Sequence, residues 1–342
     1  MEQAGDRNEA AAQAGNEGLY AIQAIPGKGQ GLIATSRILK GTRILSEAPL
    51  FKVPRNTSDL KVVNDLIVKA VKGLDKAQQR AFLSLHNAHG RDKQPFLGIS
   101  RTNALPLGSE AREGAIFLEA SRINHACRHN AQNTWNENIR RLTIHAVRDI
   151  EEGEEITISY LGATSDYAER QAFLKRTFFF DCGCELCSLP PAQRAESDLR
   201  LRKIQFIDNT IASLGDSMSE YKDALHLVNA MFRLFKEEGV WDASIPRAYY
   251  DAFQIAVANG DDTRAKVFAE RAHAARVIVE GDDSPVAARL KQLAANPRRH
   301  PAYGLVVGVP QRVELPSELD GPAFEDWLWR EDESSDDDDE DW

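Results

Sequence analysis

The 342-residue sequence has no run of eighteen apolar residues, and its opening, MEQAGDRNEAAAQAGNEG, has neither a basic flank nor an apolar stretch. These absences argue against a membrane-spanning helix and a cleaved secretory leader, and predict an intracellular protein with no membrane partner. Cysteine is scarce. Four in a chain of this length do not make a disulfide scaffold. Basic blocks are missing too, and the formal charge is -10, so direct nucleic-acid binding is not expected. What is present is an ordinary globular composition, 42% hydrophobic and 27% charged, sufficient for one to three domains. The charge is uneven: residues 329–342, WREDESSDDDDEDW, hold nine acids and one arginine, leaving about -2 for the rest. Self-repulsion predicts that this tail is disordered.

Along the chain the character changes several times. A polar leader, 1–17, is expected to be disordered. From 18 to 57, Leu19 to Ile25, Leu32 to Ala34 and Thr42 to Leu50 carry strand signals, broken by the glycine-rich turn Pro26-Gly27-Lys28-Gly29-Gln30-Gly31. From 58 to 95, Leu60, Val63, Ile67 and Val71 recur on one helical face, Gly73 ends that helix, and Asp75 caps a second running to about Leu85. Pro95 disfavours a continuous element there. From 96 to 176 strands return: Leu142, Ile144 and Ala146 alternate with Arg141, Thr143 and His145, and Ile156 and Ile158 resume the period of two. A cysteine-rich stretch, 177–191, follows.

From 192 to 298 the period is helical, with stripes at Ile204, Ile207, Ile211 and Leu214, and at Leu225, Val228, Met231, Phe232 and Phe235. Helices over 246–259 and 262–280 are joined by Asn259-Gly260-Asp261, and Ser284-Pro285 opens a last one. Such antiparallel pairs predict a helical array of tetratricopeptide (TPR-like) type. Residues 299–328 read as irregular.

In FFFDCGCELCSLP, Cys182, Cys184 and Cys187 place three thiolates in a loop short enough to wrap one ion. A closed structural zinc site needs four ligands, and no nearby histidine follows, so the fourth must come from elsewhere in the chain. Free buried thiols or a redox pair are the alternative.

Three further stretches stand in a telling order before that cluster: KGQGLIATSRILKGTRILSE at 28–47, SRINHACRHN at 121–130 and EEITISY at 154–160. Together they resemble the SET domain of protein lysine methyltransferases, over roughly residues 18–190, and specifically the SMYD-like branch. The resemblance implies an α+β fold of SET-type small β-sheets with a pseudoknot and a helical insert, followed by the α-helical C-terminal domain. It divides the SET region into an N-terminal part at 18–57, a catalytic part at 96–176 and a post-SET zinc cluster at 177–191. It also makes Cys127 the fourth ligand of one structural zinc (Zn2+) held with Cys182, Cys184 and Cys187. Because all four cysteines are then used and residues 58–90 read as helical, the MYND zinc finger common in that branch is expected to be absent.

By the same resemblance, Lys28, Gly29, Gly31, Asn124, His125, Tyr160 and Phe180 contact S-adenosyl-L-methionine. The glycines let the backbone approach its methionine end. Tyr160 is the catalytic residue, its hydroxyl orienting the lysine amine, and Phe178 and Phe179 line the substrate channel. The usual INHSCxPN pattern is altered at Ala126 and His129, and Phe178 stands where a tyrosine is common. The implied activity is methyl transfer to a lysine side chain in a protein, with a histone or another substrate bearing a basic lysine-containing segment as the expected class. The enzyme is expected to act as a monomer in nucleus or cytoplasm. A catalytically weak SET-fold interaction protein, binding through its helices, is the alternative that the altered positions keep open.

Overall fold

The structure, a computed structural model, describes residues 18–55, 59–90, 94–108, 111–162, 165–214, 221–306, 319 and 321–331. The leader 1–17 and the acidic run beyond residue 331 therefore lie outside the described residues. The chain forms two compact units: one of residues up to Arg194 with Val277–Pro285, the other of Ala195–Arg276 with the chain from Val286 onward. The architecture is α+β, with small SET-like sheets followed by a helical region.

Among the described residues, three sheets build the first unit. β1 (Tyr20–Ile25) and β2 (Gly29–Ala34) pair antiparallel, and β10 (Glu155–Ile158) joins β2 on one side and β7 (Asn124–His125) on the other, giving the order β1-β2-β10-β7. The β10–β7 pairing is parallel, with Thr157 opposite Asn124 and Ile158 opposite His125. A second sheet has the order β3-β9-β8, from β3 (Arg43–Glu47), β9 (Arg141–Ala146) and β8 (Ala131–Asn136). The third has the order β4-β6-β5, from β4 (Phe51–Pro54), β6 (Glu113–Ile116) and β5 (Leu105–Pro106).

β9 is buried on both faces. Leu142, Ile144 and Ala146 enter the apolar core with Leu32, Ile44, Ile123, Ile156 and Ile158, while Thr143 and His145 are buried as well. His145 Nε2 accepts from Arg43 Nε (3.2 Å), and Asp283, in the turn that closes this unit, takes Arg43 Nη2 and Asn136 Nδ2 (2.5 and 2.9 Å). Burial first, and the neighbouring Arg43 cation second, lower the His145 pKa to about 4, so the ring is a neutral acceptor.

Three helices lie between β4 and β5. α1 (Leu60–Lys72) buries Val63, Ile67 and Val71 and is capped by Asp59; α2 (Lys76–Leu83) starts at a capping box between Asp75 and Gln78. α3 (Pro95–Asn103) begins at the proline that was expected to interrupt the chain: Pro95 sits in the first turn, where its missing N–H costs nothing. α4 (Tyr167–Phe178) follows β10, opened by an Asp166–Glu169 capping box and closed by Phe179 in the left-handed region at φ 62°.

The chain continues through α5 (Pro191–Leu214), α6 (Tyr221–Glu238), α7 (Ser244–Ala258), α8 (Asp262–Glu280) and α9 (Pro285–Ala295). In the second unit Leu225, Val228, Met231, Phe235, Phe253 and Phe268 form one apolar core. The stretch 299–328, read as irregular, contains most of a further helix, α10 (Gly321–Trp329). Its Trp327, Leu328 and Trp329 are buried in that core, which outweighs the acids around them.

Candidate active site and thiol cluster

The segment 123–127 enters the site as a two-residue strand and is held from both sides. Ahead of it, the part-buried Glu47 carboxylate accepts the backbone N–H groups of Leu118, Glu119 and Ala120, fixing the turn that feeds Ala120–Arg122. Burial is the largest influence on Glu47 and raises its pKa, although those three bonds pull the other way. Behind it, Asn130 is 1% exposed. Its amide donates to Glu154 Oε1 and Glu155 O at 3.0 and 2.9 Å, and accepts from Thr157 N at 2.8 Å.

Tyr160 is pinned to this segment at two points. Its hydroxyl donates to Ile123 O at 2.7 Å, and its backbone N–H donates to His125 Nδ1 at 3.1 Å. Burial, then the nearby Glu155, push the phenol well above its ordinary range, so it is a neutral donor at any ordinary pH. The Phe178 ring lies 4.9 Å from Tyr160, centroid to centroid. Phe180 belongs to the same apolar cluster, 6.3 Å from the His125 ring. Phe179 stands apart from them: it is 55% exposed and its ring meets His89 edge-on at 5.0 Å. The left-handed turn at the end of α4 sends consecutive phenylalanines in different directions.

His125 links the tyrosine to the thiols. With Nδ1 accepting from Tyr160, the proton belongs on Nε2, 3.4 Å from Cys127 Sγ. Burial lowers its pKa to about 4, so the ring is neutral. The four sulfurs lie within 4.8 Å of one another, and Cys127 Sγ is 3.6 Å from Cys187 Sγ and 4.0 Å from Cys182 Sγ. Four thiolates at about 2.3 Å around a tetrahedral ion stand roughly 3.8 Å apart, which matches this spacing. Hydrogen bonds from Cys127, Cys182 and Cys187 hold the Cys184 thiol far below its usual range, and contacts with the other three raise Cys127. The four sulfurs thus form one set capable of coordinating a metal.

At the opposite end of β7, Asn124 Nδ2 donates to Glu155 Oε1 (2.9 Å) and Gln30 O (3.2 Å), and Lys28 Nζ meets Glu155 Oε2 at 2.6 Å. Gly29 has φ 81°, and Gly31 is crowded: a Cβ there would stand 2.7 Å from Asn124 Nδ2. The structure therefore draws together Lys28, Gly31, Asn124, His125, Tyr160, Phe178, Phe180 and the four cysteines. Glu47, Asn130 and Glu155 are participants that sequence reasoning did not single out. Glu155 lies inside EEITISY, where the two isoleucines and the terminal tyrosine attracted attention.

Comparison with known proteins places these residues in context. The SET domain family matches residues 29–161. Over 312 residues the chain is 36% identical to histone-lysine N-methyltransferase set5 of Schizosaccharomyces pombe, spanning 91% of this chain and 94% of that one. It is 30% identical over 175 residues to N-lysine methyltransferase SMYD2-B of Xenopus laevis, covering 49% of this chain and 37% of that one. It is 26% identical over 218 residues to histone-lysine N-methyltransferase Smyd1 of Mus musculus, covering 54% and 42%.

One expectation is corrected. The absence of a MYND-type zinc finger was inferred because all four cysteines were assigned to one post-SET zinc site and residues 58–90 read as helical. In space, however, the four thiols gather into a single four-cysteine cluster, which is consistent with a finger of that type, so the inferred absence does not stand.

Proposed function

This chain belongs to the SET-domain protein lysine methyltransferases, of which a 36% identical relative is covered over 94% of its length, and from that premise we propose how its own residues divide the work. The activity is S-adenosylmethionine-dependent methylation of the side-chain amine of lysine in a protein substrate. The bound cofactor supplies an electrophilic methyl group on a sulfonium sulfur.

Lys28 and Asn124 hold the zwitterionic amino-acid end of the cofactor: an ammonium suits its carboxylate, and an amide oxygen suits its ammonium. The space kept clear at Gly31 supports that placement, since a Cβ would fill it. His125 and Phe180 flank the adenine end. Tyr160 orients the lysine nitrogen, with Phe178 as the apolar wall beside it. A channel of this kind favours the neutral amine by withholding water from the ammonium, which matters because lysine is ordinarily protonated up to about pH 10.4. Phe179 meets the substrate further out, beside His89. Cys127, Cys182, Cys184 and Cys187 hold one structural zinc, and the parallel β7–β10 contact is the crossing point of the SET pseudoknot. The helical region is a TPR-like array.

A basic protein is the substrate this reading favours, and a histone in particular, because the relative matched over most of its length is named a histone-lysine methyltransferase. The nine carboxylates of residues 329–342 then attract it through a long-range, salt-sensitive field. Work on a histone places the enzyme in the nucleus.

One observation carries the assignment of Tyr160: the segment that fixes the tyrosine at both hydroxyl and backbone also presents Asn124 and Cys127. Incubation with methyl-labelled S-adenosylmethionine and core histones tests it. Label is expected on lysine with the parent, and about 100-fold less with Tyr160→Phe. Equal transfer by the variant would remove Tyr160 from the catalytic role. Cofactor binding without transfer to histones would remove the proposed substrate.

A further inference from the structure

Glu155 is the hub of the cofactor corner, and no role in the preceding reading falls to it. One carboxylate oxygen takes an Asn124 amide proton at 2.9 Å and the other takes Lys28 Nζ at 2.6 Å. These partners lie 31 and 127 positions away in sequence and meet only because β10 sits between β2 and β7. An asparagine amide has two N–H donors. Here one is spent on Glu155 and the other on Gln30 O, so its oxygen is the group left without a protein partner among the described residues.

The second glycine of KGQG belongs to the same arrangement. Gly31 has an ordinary backbone conformation in a regular strand, opposite Gln23, so no turn requires it. Space does: a Cβ would stand 2.7 Å from Asn124 Nδ2 and 2.8 Å from Ile25 Cγ1, closer than side chains tolerate, and 3.1 Å from Glu155 Oε1, a tight contact. Gly31 thus leaves room for the asparagine–glutamate contact.

Resting on the reading that Lys28 and Asn124 hold the amino-acid end of the cofactor, we propose that Glu155 is a positioning residue of that site. It commits the Asn124 N–H groups to the protein, which turns the amide oxygen toward the cofactor's ammonium. It also holds Lys28 beside the site until the cofactor's carboxylate takes the lysine over. The exchange is easy because the Lys28–Glu155 pair is part-exposed, at 42% and 18% of the side-chain surface, and exposed pairs are weak.

Glu155→Gln and Glu155→Ala in the full-length, zinc-replete protein test the proposal. Titration calorimetry compares S-adenosylmethionine with 5′-methylthioadenosine, which lacks the amino-acid end. Gln retains an acceptor for Asn124, so its cofactor affinity is expected within about threefold of the parent, whereas Ala loses about tenfold or more. The loss should appear in KM for the cofactor rather than in kcat, and 5′-methylthioadenosine should bind all three proteins alike. Unchanged cofactor affinity in Glu155→Ala overturns the proposal. So does an equal loss in both variants, which assigns the effect to charge alone, or an equal weakening of 5′-methylthioadenosine, which assigns it to a damaged fold. If the parent discriminates no better for the amino-acid end than the variants do, yet transfers methyl groups, the assignment of Lys28 and Asn124 fails along with it. Transfer by a parent that does discriminate leaves that assignment standing whatever Glu155 does.

Discussion

The two compact units both bury polar groups, but to different ends. In the helical unit they fasten one helix end to another: Glu238 takes Ser197 Oγ and Arg200 Nε, while Arg264 pairs with Asp261 and donates to Trp327 O. Around them the core is apolar and large, from Leu201 to Trp329. In the sheet unit the buried polar groups hold single segments in place. Asn130 spans β8 and β10, Glu47 gathers three backbone N–H groups, and His125 bridges Tyr160 to Cys127. One unit uses polarity to close a fold that apolar area stabilises; the other uses it to set the positions of a few atoms. Damage to the first should therefore appear as lost stability, and damage to the second as lost turnover or metal.

The largest effect expected from this contrast is at Cys127. Cys127→Ser removes one of four thiols and the sulfur facing His125, so zinc content should fall below the proposed one per chain and methyl transfer by about 100-fold or more. Elemental analysis and the labelled assay read both. A variant with full zinc content would show that Cys127 is not a ligand, and a broad loss of helical circular dichroism would show that the units are not energetically separate.

The converse is Phe268→Ala. Phe268 is fully buried and lies 4.8 Å from the Trp329 ring, so truncation should cost about 3–5 kcal/mol. Protein that remains folded should keep its zinc and a rate within about twofold of the parent. Denaturant unfolding measures the cost; a folded variant with a collapsed rate would erase the distinction between the units.

The smallest effect sharpens the comparison inside the sheet unit. His145 is buried with a pKa near 4, below the usual value of about 6.5, because burial and Arg43 oppose a second cation. An unfolded chain takes up that proton as pH falls below about 6.5 while the folded one does not. The contribution is complete above that pH and declines toward pH 4, by up to about 3 kcal/mol. His145→Gln should flatten the slope of stability against pH across that window. An unaltered slope would mean that other groups dominate it.

Several local features were legible without coordinates. The spacing of Val63, Ile67 and Val71 marks the buried face of α1, and Asp59 and Asp75 cap helices because their short carboxylates reach the first free N–H groups. Leu142, Ile144 and Ala146 alternate as a strand should. Yet Thr143 and His145, which alternation assigns to solvent, are buried too: Thr143 Oγ1 donates to Thr134 O, and His145 accepts from Arg43, which Asp283 holds in place. Run composition misled at FFF, where the end of α4 separates Phe178 from Phe179, and near the C-terminus, where acids concealed the buried face of α10.

By itself the sequence determined which chemistry is available: three thiols in one short loop, an asparagine–histidine pair two residues before another cysteine, and a tyrosine closing a strand. Periodicity and capping are local, so they are written in adjacent residues. Only the tertiary structure decided that Cys127 meets Cys187 across sixty positions and that Glu155 stands between Lys28 and Asn124. Those meetings depend on strand order and on the parallel pairing of β10 with β7. Long-range pairing is selected by the packing of the whole unit, so no neighbouring residue encodes it.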